Sequence, residues 1–156
     1  MVSLITWFGR KSAASLRTGG VHRARGSLMP AVALVVDDSM LIRYTVCRSL
    51  EERGFTVESA TNGVEALQIL ERLRPDLIVT DMLMPKMSGS ELITALKKNP
   101  ATANIPVIIV AGRGSGFDEN EKRADFAIYK DIDIQCQLGK ALDAVLGKGR
   151  GQSAGK

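Results

Sequence analysis

Four side chains could share one piece of chemistry. Asp37 and Asp38 stand side by side after one apolar run, Asp81 follows a second, and Lys130 follows a third. The runs are AVALVV (31–36), DLIVTD (76–81) and FAIYK (126–130), each about the length of a buried strand. If these strands are parallel neighbours, three carboxylates and one ammonium meet beyond their carboxyl ends. Two carboxylates in the first loop would repel a phosphate. They suit a hard divalent cation instead, and Mg²⁺ prefers such oxygen ligands. A carboxylate beside that cation can attack a phosphoryl group and form an acyl phosphate. The cation and Lys130 would neutralise charge on the phosphoryl oxygens. One Asp at a strand end is most often a helix cap, but four suitable residues at three strand ends ask for more.

The remaining composition narrows the chemistry. The one histidine, His22, lies in the N-terminal stretch, so a Ser-His-Asp or Cys-His constellation cannot be built in the core. Zinc sites with histidine ligands are excluded there too. Cys47 and Cys136 form no CxxC motif and read as small hydrophobes in a reducing cytosol. No apolar run approaches the ~20 residues of a membrane span. The net charge of +4 on 156 residues is unevenly spread. Residues 1–30 carry five basic residues and no acid, and 147–156 carry three basic residues. Between them, 31–146 holds 13 basic and 17 acidic residues. An acidic domain is therefore flanked by two basic ends, which read as solvated tails. Met29, directly before the first strand, is a candidate translation start.

The elements that must position the acidic cluster alternate. Ser39 caps a helix running to Arg53, with Gly54 as its stop. FTVESA (55–60) is the second strand. Asn62 caps a helix through Leu73, with Ala66, Leu67, Leu70 and Leu73 on one face and Pro75 beyond it. After DLIVTD, Ser88 and Glu91 form a capping box that opens a helix to Lys98. IPVIIVA (105–111) is the fourth strand and FAIYK the fifth. The last helix runs from about Asp133 to Leu146, closed by Gly147. The alternation predicts an α/β, doubly wound, five-stranded parallel sheet of the flavodoxin-like kind, order 2-1-3-4-5. The Gly-rich AGRGSGFDENEKRAD predicts that the helix between the fourth and fifth strands is shortened or missing. The expected organisation is a flexible basic extension over 1–30, one domain over 31–146, and a disordered basic tail over 147–156.

At VVDDS (35–39), DLIVTDMLMPKMSG (76–89), IPVI (105–108) and Lys130, the chain resembles the receiver domain of two-component response regulators. The resemblance covers about 31–146. It implies that Asp81 is the phosphoacceptor, that Asp38 ligates Mg²⁺ directly and Asp37 through water, and that Leu83 offers the metal a backbone carbonyl. Lys130 would pair with the phosphoryl group, and Pro85 and Gly89 would shape the loop and helix start after Asp81. The phosphate would come from the phosphohistidine of a histidine kinase or phosphotransfer protein, in the cytoplasm, and the signal would pass to an unknown downstream protein. Such a chain is a self-phosphorylating acceptor rather than a turnover enzyme, and no DNA-binding domain follows within this sequence.

Three positions depart from the family pattern. Ala111 stands where the family carries the Thr or Ser hydroxyl at the end of the fourth strand. Ala127 stands at the switch aromatic, flanked by Phe126 and Tyr129. Asp131 follows Lys130, where the family usually has a cis-proline. Arg113 or the neighbouring glycine N–H groups are candidates to replace the missing hydroxyl. These losses support an alternative, a pseudo-receiver that acts as a phosphorylation-independent interaction module. A metal-dependent phosphatase on a similar sheet is disfavoured, because Met82 and Leu83 follow Asp81 where a D-x-D motif would stand.

Overall fold

A computed structural model describes residues 29–112 and 122–154. Five strands and four helices follow in the order β1 (Val32–Val36), α1 (Met40–Glu52), β2 (Thr56–Ala60), α2 (Gly63–Leu70), β3 (Leu77–Asp81), α3 (Gly89–Lys98), β4 (Val107–Ala111), β5 (Phe126–Tyr129) and α4 (Ile134–Ala154). The strands form one parallel sheet in the order β2-β1-β3-β4-β5, as the alternation predicts. Among the described residues no helix stands between β4 and β5. No described helix is long and apolar enough to cross a membrane.

Strand periodicity divides the core into two layers. Ala33, Val35, Leu77, Val79, Ile108, Val110 and Ile128 face α1 and α4, where Val46, Leu50, Leu138 and Leu142 cover them. Leu34, Val36, Ile78, Ile109 and Ala111 face α2 and α3, where Ala66, Ile69, Leu92, Ile93 and Leu96 cover them. Each fully buried Leu, Ile or Phe contributes about 1.5–3 kcal/mol of transfer free energy.

Side chains punctuate the elements. Ser39, Asn62 and Ser88 accept the N–H groups of Ile42, Glu65 and Glu91, and Ser88 and Glu91 complete the capping box. Gly54 adopts φ 93° after α1, a conformation that favours glycine. At the amino edge of the sheet two carboxylates bind strand starts. Asp76 Oδ2 accepts the Val32 N–H at 2.8 Å, and Asp125 Oδ2 accepts the Val107 N–H at 2.9 Å.

Several element ends differ from the sequence reading. α2 stops at Leu70 rather than Leu73, and Ile69 rather than Leu67 is buried. Pro75 disfavours helical backbone before it, and the Arg72 and Leu73 N–H groups both fall on the Ile69 carbonyl as the helix tightens to its end. β4 begins at Val107 rather than Ile105, because Pro106 has no N–H to give a ladder; its carbonyl still accepts from Ile78 at 3.0 Å. The last helix continues past Gly147 to Ala154, so the expected helix stop at Gly147 is corrected. Gly147 does not take the positive φ of a terminating glycine, and no proline follows to break the helix. Cys47 is half-buried against the α1 layer, but Cys136 is exposed, contrary to the buried reading; both are free. Burial first and Glu51 second push the Cys47 thiol up to about 11, against the opposing charge of Arg43. The flexible extension and the Arg113 proposal fall on 1–28 and 113–121, outside the described residues.

Candidate functional site

The carboxyl ends of β1, β3 and β5 bring the predicted residues together. β1 lies between β2 and β3, and β3 lies between β1 and β4. Val36 therefore sits opposite Thr80, and the turn after it delivers Asp37 and Asp38 beside Asp81. One carboxylate oxygen from each of these three residues lies within 4.8 Å of the others. Asp37 and Asp81 are buried, at 2% and 4% exposure, while Asp38 is exposed.

Lys130 enters from the end of β5. Its Nζ donates to Asp81 Oδ2 at 2.8 Å and lies 3.1 Å from Asp37 Oδ2. Burial works against the ammonium, but the hydrogen bond to Asp81 and the Asp37 charge outweigh it and raise the Lys130 pKa. Asp37 moves the other way from an ordinary paired carboxylate. Burial raises its pKa; the Ser39 N–H lowers it, Asp81 raises it further, and Lys130 only partly compensates. The contact with Lys130 is a charge approach without hydrogen-bond alignment, since Asp37 Oδ2 is buried with no hydrogen-bond partner.

The backbone holds the Asp81 carboxylate. Asp81 Oδ1 accepts the Met82 N–H at 2.7 Å and the Leu83 N–H at 3.4 Å. Leu83, the expected carbonyl ligand, thus begins the loop that wraps Asp81, and its side chain is exposed. The loop turns sharply at Lys86, whose φ is 68° and where the Met87 N–H reaches the Pro85 carbonyl at 2.7 Å. That is the bond pattern of a γ-turn, a strained conformation for a non-glycine residue. Gly89 then starts α3 in direct contact with the Asp81 backbone. A Cβ there would lie 2.1 Å from the Asp81 carbonyl oxygen.

The donor set tests whether a metal fits. Three carboxylates, among them Asp37 with a buried oxygen outside any hydrogen bond, form an all-oxygen, hard-ligand corner. Mg²⁺ suits that chemistry, and it would offset both the repulsion and the unpartnered oxygen.

The two departures have a place as well. Ala111 is fully buried and lies on the α2–α3 side of the sheet; Ala127 is half-buried on the same side. Met82, Met84 and Met87, from the loop after Asp81, pack against that same apolar layer. No hydroxyl or aromatic ring stands at either position. Among the described residues no peptide bond is cis, so Lys130–Asp131 is trans.

Sequence reasoning missed one support. The Gln137 amide on α4 accepts the Tyr129 N–H at 3.0 Å and donates to the Tyr129 carbonyl at 2.8 Å. β5 is an edge strand, and this side chain satisfies groups that no neighbouring strand can reach. It fixes the residue before Lys130, whose own N–H bonds the Ala111 carbonyl at 3.0 Å. Only a fold-level contact reveals this role; a lone Gln one turn into a helix carries no signal.

A profile of the response regulator receiver domain matches residues 33–135. Response regulator MprA of Mycobacterium sp. (strain KMS) is 38% identical over 87 residues, covering 56% of this chain and 37% of that protein. The DNA-binding dual master transcriptional regulator RpaA of Synechocystis is 31% identical over 118 residues, covering 72% of this chain and 47% of that protein. The chain thus spans less than half the length of these two relatives. The chemotaxis response regulator CheY4 of Vibrio cholerae superposes with a TM-score of 0.66 at 30% identity, over 75% of this chain and 99% of that one.

Proposed function

We propose that this chain, which belongs to the response regulator receiver domain family, accepts a phosphoryl group on Asp81 and signals that state through protein–protein contact. The observation that supports this reading is a buried Asp81 carboxylate with both oxygens held, one by backbone N–H groups and one by Lys130, beside two further carboxylates. The donor is a phosphohistidine on a histidine kinase or phosphotransfer protein. An Asp81 oxygen attacks phosphorus, the P–N bond breaks, and its electron pair leaves on the imidazole nitrogen. Lys130 neutralises charge at the phosphoryl oxygens. Asp37, Asp38, Asp81 and the Leu83 carbonyl would hold Mg²⁺, which supplies further charge neutralisation when bound. The setting is cytoplasmic, and the chain is an acceptor rather than a turnover enzyme.

One observation favours a second reading, a phosphorylation-independent interaction module. Ala111 and Ala127 offer neither the hydroxyl nor the ring through which the family relays phosphorylation. Intact mass separates the two. Incubation with Mg²⁺ and a small-molecule phosphodonor should add a phosphoryl group to the wild type and none to Asp81→Asn. A folded, Mg²⁺-bound wild type that gains no adduct, from this donor or from a phosphohistidine protein, favours the module.

A further inference from the structure

We infer that Arg43 is a positioning residue for the cation site, holding the Asp37–Asp38 turn in its ligand-presenting shape; this rests on the metal reading above. The turn between β1 and α1 is anchored at three points. The Asp37 N–H bonds the Ala60 carbonyl at 3.1 Å, the Ser39 N–H bonds Asp37 Oδ1 at 2.8 Å, and Arg43 Nη1 donates to the Asp37 carbonyl at 2.8 Å. The first two bonds fix either side of Asp37. The third fixes the peptide that joins Asp37 to Asp38, and so decides where the exposed Asp38 carboxylate points.

Arg43 is well placed for this. Its own N–H bonds the Ser39 carbonyl at 2.9 Å in the first turn of α1, so the half-buried side chain reaches back over the turn. Its hydrogen bond goes to a carbonyl, whereas Lys130 takes the buried carboxylates. The guanidinium thereby braces the turn and leaves carboxylate oxygens for a cation. A planar, rigid donor suits such a brace better than a flexible ammonium.

Coulomb repulsion alone says that removing a positive side chain near a cation site tightens binding. A brace says the reverse. Groups that orient metal ligands typically cost about 10–100-fold in affinity when removed, and for Arg43→Ala we expect about tenfold weaker Mg²⁺ binding. Calorimetric Mg²⁺ titration of the full chain reads this directly. Amide exchange at Ser39 in the metal-free protein should accelerate, because its acceptor is Asp37 Oδ1. Arg43→Lys, which keeps the charge but not the planar fork, should weaken binding to an intermediate degree. Arg43→Ala that binds Mg²⁺ as tightly as the wild type, or more tightly, overturns the proposal. Should Arg43→Ala not fold, Arg43→Lys with wild-type affinity overturns it instead. Asp38→Asn separates the two inferences. If it binds like the wild type, or the wild type binds no Mg²⁺, the metal reading falls and the brace with it. If Asp38→Asn loses affinity and Arg43→Ala does not, only the brace falls.

Discussion

Gly89→Ala is a one-methyl change with consequences for both stability and chemistry. The new Cβ would lie 2.1 Å from the Asp81 carbonyl oxygen, 2.8 Å from Met82 Cα and 3.0 Å from the Asp81 carbonyl carbon. The shortest of these is about 1 Å inside any tolerable carbon–oxygen approach. All three neighbours are backbone, so no side chain can swing aside. Either α3 lifts or the end of β3 is pushed away. Overpacking of this kind costs about 1–3 kcal/mol, and rigid neighbours place it at the upper end. The shift also loosens the Gly89 N–H bond to the Met82 carbonyl, now 2.9 Å, for a further ~0.5–1.5 kcal/mol. The total of about 3–4 kcal/mol is a large share of the roughly 5–15 kcal/mol of a typical domain. It lowers Tm by roughly 10 °C or more. Because the Asp81 backbone itself must move, phosphoryl-adduct formation should also slow; a displacement of ~1 Å can cost about a hundredfold in rate. Thermal melting and intact-mass time courses measure the two effects. Gly112→Ala is the control, since among the described residues nothing beyond its chain neighbours lies within 4 Å of a Cβ there. A Gly89→Ala protein that melts and phosphorylates like Gly112→Ala would refute the close-approach argument.

Two other substitutions probe the charge and its support. Asp37→Asn should stabilise the metal-free protein at pH 7, by about 1 kcal/mol or more, because it removes a buried charge beside Asp81 whose burial cost the Lys130 ammonium only partly offsets. The sign of the pH dependence follows from the raised Asp37 pKa. The folded state holds this proton longer than the unfolded chain, so the carboxylate's penalty appears as pH rises from the ordinary value of 3.8 through the folded one. In chelator, the gap in urea stability between Asp37→Asn and the wild type should therefore widen over that interval. Added Mg²⁺ should narrow it by favouring the folded wild type; a gap that stays constant with pH contradicts the burial argument. Lys130 acts oppositely. Its raised pKa gives stability that is complete below the ordinary value of 10.5 and is lost as pH climbs through the folded value. Gln137→Ala should cost about 1–3 kcal/mol by leaving the Tyr129 N–H without its partner. It should also slow adduct formation by loosening Lys130, and an unchanged time course would show that β5 holds Lys130 unaided.

The fold was largely legible in the sequence, because parallel strands covered on both faces must read as continuous apolar runs. The runs at 31–36, 76–81 and 105–111 could hardly be anything else. Caps were legible for a related reason: Ser39, Asn62 and Ser88 act on N–H groups three residues away, so their chemistry is local. The four site residues could be named because they sit at strand ends, where the topology alone makes them converge. Element ends were less legible. Phe55 is fully buried yet precedes β2, and α4 runs through a glycine that composition marks as a stop.

Tertiary structure decided how the cluster is arranged. Asp81 and Lys130 are 49 residues apart, and no local pattern says that one ammonium reaches both Asp81 and Asp37. Residue type and spacing do not separate Asp37 from Asp38, although the family resemblance gives them different metal roles; only the packed turn buries one and exposes the other, and so gives Asp37 its raised pKa. The need for glycine at 89 comes from a backbone approach between two elements. The fates of Ala111 and Ala127 likewise depend on which sheet face they share with Met82, Met84 and Met87. Residue type and local spacing determine elements and caps, because those energies act within one turn or one strand. Burial, charge pairing and close approach are sums over neighbours distant in the chain, and they exist only once the sheet has assembled.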